Sequence, residues 1–213
     1  MKEVAAYDAV FLGSGSNQSR GLPIDGMDLD GVLLGLDFLR DRSLNKLTTD
    51  FKGKKAVVIG GGNVAVDCAR YARRLGAATV AMSCLETRGE MPAHPWELEM
   101  AWHEGVFIDC SWGPKRVLGE NGKVVGIELR RCTTVFDQEG RFNPKYDDME
   151  MQTLRADIVV MAIGQRSDLS YLGADSGITV TRSGTIQVNG ETMQAKGAVF
   201  AAGDVVTGHK SVI

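Results

Sequence analysis

Short apolar runs rich in β-branched residues alternate along this chain with stretches of helical spacing, which predicts an α/β fold with parallel strands. YDAVFLG (7–13) reads as a buried strand followed by a glycine- and serine-rich turn. GVLLGLDFLRD (31–41) predicts a short helix and NKLTTDFKGKK (45–55) a polar connector. From KAVVIGGG (55–62) the order becomes regular. That run ends in glycines and passes directly into NVAVDCARYARRLG (63–76), where Val64, Cys68, Ala72 and Leu75 share one helical face and Gly76 supplies a stop. AATVAMSCLE (77–86) is the next strand, HPWELEMAWHEG (94–105) a second helix with Pro95 in its first turn, and VFIDCSW (106–112) a third strand. Together they form a β-α-β-α-β series, half of a doubly wound sheet.

Between 113 and 155 the period changes to two. Two alternating runs meet at Asn121-Gly122, a type I′ hairpin signal, and a third run, MEMQTLR (149–155), follows the polar stretch DQEGRFNPKYDD (137–148). ADIVVMAIG (156–164) returns to the buried parallel type, GITVTRSGTIQVN (177–189) predicts a further hairpin, and GAVFAAGD (197–204) a last strand. The expected organisation is a Rossmann-like parallel sheet over 51–172 with a small antiparallel meander at 113–155 set into it, between flanking segments 1–50 and 173–213.

Composition narrows the function. A chain of 213 residues, 44% hydrophobic, can bury one or two cores. The net charge of −3 and the lack of a basic stripe exclude a nucleic-acid partner, and no apolar run reaches membrane-spanning length, so the chain reads as soluble and cytoplasmic. Cys68, Cys84, Cys110 and Cys132 are far apart with no C-x-x-C, which gives neither a metal site nor a disulfide framework. His94, His103 and His209 are equally dispersed and read as helix-end or surface residues. There is no G-x-S-x-G, no H-E-x-x-H and no Walker lysine, and no catalytic acid or base stands out.

The chemistry lies in the glycine turn. Gly60, Gly62 and Ala65 have the G-x-G-x-x-A form, placed after a strand and opening a helix. Gly60 permits the tight turn, Gly62 lets backbone approach a pyrophosphate, and Ala65 lets helix and strand pack closely. The helix that begins near Asn63 presents free N–H groups and its positive end to the phosphates. About 20 residues on, at the tip of the second strand, stands Glu86, placed to accept hydrogen bonds from both adenosine ribose hydroxyls and to repel a 2′-phosphate. Arg88 is the competing group, able to swing toward such a phosphate. The order favours NADH over NADPH.

The motifs YDAVFLGSGS, GVLLGLDFL, KAVVIGGGNVAVDCAR, MPAHPWELEMAWHEGV, ADIVVMAIGQ and VFAAGDVV, taken in order, resemble the small (β) subunit of glutamate synthase. They are also similar to the matching segment of dihydropyrimidine dehydrogenase and to flavoprotein subunits of ferredoxin-linked oxidoreductases. The resemblance implies an NAD(P)H domain inserted into an FAD domain, with pieces of the FAD domain in the flanking segments 1–50 and 173–213. It implies that the FAD fingerprint, the iron–sulfur cysteines and the last flavin helix lie outside these residues, so that FAD is held only by a longer parent and the chain alone is inactive. By position, Gly60, Gly62, Asn63 and Val64 would line the pyrophosphate, Gly164 and Gln165 would stand near the nicotinamide half, and Asp204 would meet the flavin. The implied chemistry is hydride transfer between nicotinamide and flavin, followed by electron delivery to an iron–sulfur domain and a large catalytic or ferredoxin-linked subunit. Two departures stand out: Leu85-Glu86 replaces the arginine pair of NADPH-using relatives, and Ser14 stands where the family has threonine. A non-catalytic nucleotide-binding sensor, or an interaction subunit whose glycine turn is structural, remain the alternatives.

Overall fold

The computed structural model describes residues 7–208; the outer ends of both flanking segments, and His209 with them, lie outside the described residues. In chain order the first half holds β1 (Val10–Leu12), β2 (Gln18–Ser19), β3 (Val32–Leu34), α1 (Gly35–Ser43), β4 (Lys55–Ile59), α2 (Asn63–Arg74), β5 (Thr79–Cys84) and α3 (Pro95–His103). The second half holds β6 (Val106–Cys110), β7 (Trp112–Glu120), β8 (Lys123–Phe136), β9 (Phe142–Arg155), β10 (Ile158–Met161), β11 (Gln165–Arg166), a 3-10 turn at Ala174–Ser176, β12 (Gln194–Lys196), β13 (Val199–Ala201) and α4 (Asp204–Thr207). The chain divides into two compact units, one of residues 19–164 and one of residues 1–18 with 165–213.

The 19–164 unit is built on a five-stranded sheet in the order β3-β10-β4-β5-β6, every pair parallel. This is the α/β architecture that the alternating pattern predicts. Residue parity sorts the two faces. Ala56 and Val58 of β4, Val80 and Met82 of β5 and Val160 of β10 join Phe38, Ala65, Val66, Ala69 and Leu98 in a helix-side core. Val57, Ile59, Val159 and Met161 face the other way, onto Val117, Val124, Ile127 and Leu129 of the antiparallel sheet β7-β8-β9. A parallel sheet covered on both sides has no solvated face, so its strands read as unbroken apolar runs.

Three expectations change in this unit. The helix expected over 31–41 is split: Val32–Leu34 form β3, which pairs with β10 at the edge of the sheet, and only from Gly35 does the chain become helical. The connector at 45–55 is not wholly polar in its packing, because Phe51 is buried against Phe38 with ring centroids 5.1 Å apart. The third meander strand begins at Phe142 rather than Met149, and absorbs residues read as a polar loop. Asp148 and Glu150 therefore stand on a strand, across from Arg130 and Arg131, and are exposed.

In the unit of residues 1–18 and 165–213, β1 runs parallel to β13 and β12 antiparallel to it, over a small core of Ile186, Ala201 and Val205. YDAVFLG yields only the three residues of β1, and Phe11 is 66% exposed, so the buried strand expected there is short and open on one face. The hairpin expected over 177–189 is reduced to one antiparallel bridge, Val180 to Ile186. Among the described residues no helix is long and apolar enough to cross a membrane.

Candidate functional site

Strand order locates the crevice. Sheet growth from β4 runs through β5 to β6, while β10 returns on the opposite side of β4. The carboxyl end of β4 is therefore the switch point, where open α/β sheets leave a cleft between diverging connections. The glycine turn stands there.

Gly60 has φ +139°, and a Cβ on it would lie 2.9 Å from the carbonyl carbon of Ala162, at the end of β10. Its N–H donates to the carbonyl of Ser83 at 2.8 Å, which ties the turn to β5. Only glycine fits such a position. Gly62 differs. Its φ of −93° suits any residue, and the nearest atom to a Cβ there is Pro92 Cγ at 4.0 Å. The space beside Gly62 is open for a ligand. Ala65 is fully buried, and its Cβ lies 3.3 Å from where a Cβ on Gly60 would be, the close helix–strand contact that the fingerprint needs.

Helix α2 starts at Asn63 with no side-chain cap and no acidic residue in its first turn. The N–H groups of Asn63 and Val64 have no acceptor among the described residues, whereas those of Ala65 and Val66 reach the carbonyl of Gly62. Uncapped N–H groups at the positive end of a helix, beside a turn stripped of side chains, are an arrangement that could hold an anion such as a phosphate.

At the tip of β5, Glu86 is half-buried and turns its carboxylate over the glycine turn, with Oε2 2.7 Å from the position of a Cβ on Gly61. Its carbonyl is held by the Ser111 N–H at 2.9 Å and the Cys84 thiol at 3.5 Å. Arg88 is exposed at the rim. Beneath lie Cys84 and Cys110, in register on β5 and β6. Burial pushes both thiols up, and for Cys84 the neighbouring Cys110 and Glu86 add to the rise, so both stay neutral near pH 7.

The segment after Glu86 returns to the turn, which the sequence pattern does not indicate. The Ala93 N–H donates to the carbonyl of Gly61 at 3.1 Å, and the His94 N–H to Asn63 Oδ1 at 3.0 Å. Gly164, with φ +111°, is exposed just beyond β10, and its carbonyl accepts from the Arg20 N–H at 3.0 Å. Gly60, Gly62, Asn63, Val64 and Glu86 are thus gathered at one turn, with Arg88 at its rim. Gln165 and Asp204 belong to the other unit, Asp204 opening α4 after Gly203 with φ +77°.

Comparison with known proteins accords with this geometry. The family model for pyridine nucleotide-disulphide oxidoreductases matches residues 1–213. The chain is 39% identical over 211 residues to the NADP(+)-dependent formate dehydrogenase subunit beta of Moorella thermoacetica, covering 97% of this chain and 29% of that one. It is 32% identical over 218 residues to the glutamate synthase [NADPH] small chain of Azospirillum brasilense, covering 96% and 45% respectively. It thus spans less than half the length of either relative. Among solved structures, Mycobacterium tuberculosis FprA in complex with NADPH shares the fold, with a TM-score of 0.76 at 23% identity over 99% of this chain and 61% of that one.

Proposed function

The chain belongs to the pyridine nucleotide-disulphide oxidoreductase family, and from that premise we propose that residues 19–164 are the nicotinamide-dinucleotide-binding domain of a flavin-dependent NAD(P)H oxidoreductase similar to the glutamate synthase small subunit. The observation that carries this is the glycine turn at the sheet's switch point, with the Asn63 and Val64 N–H groups free beside it. The bound cofactors supply the redox step, hydride exchange between nicotinamide and FAD, with electrons passed on to iron–sulfur centres or a partner subunit.

The protein's part is placement. Gly60 sets the turn, Gly62 keeps it free of side chain, and the Asn63 and Val64 N–H groups donate to the diphosphate. The family resemblance assigns Gly164, exposed beyond the end of β10, and Gln165 to the nicotinamide half, and Asp204 to the flavin. We place the protein in the cytoplasm, working with an iron–sulfur domain and a large catalytic or ferredoxin-linked subunit. Titrating NADH and NADPH into the protein, followed by tryptophan fluorescence, tests the reading. Saturable binding is expected below about 1 mM, the upper range of enzyme–substrate constants, and none at that concentration overturns it.

The choice between the two dinucleotides falls to Glu86 and Arg88. The Glu86 carboxylate argues for NADH; Arg88, and the NADPH in the relatives' names, argue for the alternative. The same titration is expected to give the tighter constant for NADH, and Glu86→Ala to weaken NADH by roughly tenfold and narrow the gap, the scale of one charge-assisted hydrogen-bond pair. Tighter NADPH binding by the unmodified protein would remove Glu86 from ribose recognition.

A further inference from the structure

We infer that Asn63 is a positioning residue that sets nucleotide discrimination although its side chain touches neither ribose; the inference rests on the dinucleotide reading of the glycine turn. The segment from Glu86 to His94 is tied at both ends. At its start the Ser111 N–H holds the Glu86 carbonyl at 2.9 Å. At its far end the Ala93 N–H bonds the Gly61 carbonyl at 3.1 Å and the His94 N–H bonds Asn63 Oδ1 at 3.0 Å. Met91 and Ala93 anchor it in the helix-side core, and Pro92 comes nearest to the open side of Gly62. The strap that carries Glu86 and Arg88 thus also walls the phosphate turn, and Asn63 is the side chain that joins them.

The residue type suits the task. Asn63 is the first residue of α2, yet its side chain does not cap that helix. Its amide oxygen is spent across the crevice on the strap, which leaves the first N–H groups of α2 for a ligand. An aspartate could accept the same bond from His94, but would place a negative charge beside the diphosphate. Asparagine latches without repelling. His94 is also the N-cap residue of α3, so the one bond fixes the start of α3 to the start of α2, 31 residues apart.

Two substitutions separate the roles. In Asn63→Ala the His94 N–H loses its acceptor. Amide hydrogen exchange at Ala93 and His94 is expected to accelerate, affinity for both dinucleotides to fall by up to about tenfold, and the ratio of the NADH and NADPH constants to move toward one, the scale of one lost hydrogen bond. Asn63→Asp keeps the acceptor: exchange at His94 stays slow and the ratio is kept, while both affinities fall together through charge repulsion. An unchanged ratio in Asn63→Ala, with or without faster exchange, reduces Asn63 to a structural tie and overturns the proposal alone. Failure of the unmodified protein to bind either dinucleotide overturns the reading of the site, and this proposal with it.

Discussion

Gly62→Val is expected to abolish dinucleotide binding while leaving a folded domain. The backbone at Gly62 has φ −93° and ψ 175°, which valine adopts without strain, and the nearest atom to a Cβ there is Pro92 Cγ, at 4.0 Å. Exchanging glycine for a β-branched residue at a helix N-cap costs about 1 kcal/mol, so thermal unfolding moves by only a few degrees. Binding responds differently. The isopropyl group fills the approach to the Asn63 and Val64 N–H groups, and hydrogen bonds to charged groups are worth roughly 1.5–3 kcal/mol each, so losing two weakens binding by about a hundredfold or more. Calorimetric titration beside a melting curve separates the effects. Unchanged affinity in a folded Gly62→Val protein would mean that the diphosphate does not lie here.

Much of the parallel sheet was legible because its strands are buried on both faces. KAVVI and IVVM cannot be mistaken for half-solvated strands, and each passes directly into glycine or a small residue. What misled was local resemblance. GVLL precedes a run with good helical spacing, and nothing in four residues announces that the first part pairs with β10, more than a hundred positions later. The early part of β9 hides for another reason. Its side chains face solvent for most of its length, so Lys145, Asp147 and Asp148 carry no alternation, and its strand character comes from pairing with residues 131–136 of β8, where Cys132 and Val135 are buried.

The candidate site divides along the same line. The glycines, the start of α2 and Glu86 follow one another within a single β-α-β unit, where the spacing of glycine, alanine and carboxylate has a geometric meaning fixed by the turn. The strap does not. Asn63 and His94 meet through a backbone N–H, which every residue but proline carries, so no residue type at position 94 signals the contact. Asn63 was legible as a turn residue and silent as a latch.

Gly60→Ala is expected to strike the fold itself. At φ +139° an L-residue is strained, and the added Cβ would press on the Ala162 carbonyl, 2.9 Å from its carbon and nearer still to its oxygen. Neither side can retreat cheaply. The Ala162 N–H is bonded to the Ile59 carbonyl and the Gly60 N–H to the Ser83 carbonyl, each at 2.8 Å, so moving the turn breaks the links that hold β10 and β5 beside β4. Strain and clash together predict a loss of about 3–5 kcal/mol, or roughly 10 °C in the melting of the 19–164 unit. The two glycines, two residues apart, therefore divide the labour: a methyl group on Gly60 costs stability and takes binding with it, whereas a larger group on Gly62 costs binding with little loss of stability. Melting of Gly60→Ala within about 2 °C of the unmodified protein, a shift worth under 1 kcal/mol, would show that the turn can open away from β10. The crevice would then owe its shape to the strap rather than to the glycine.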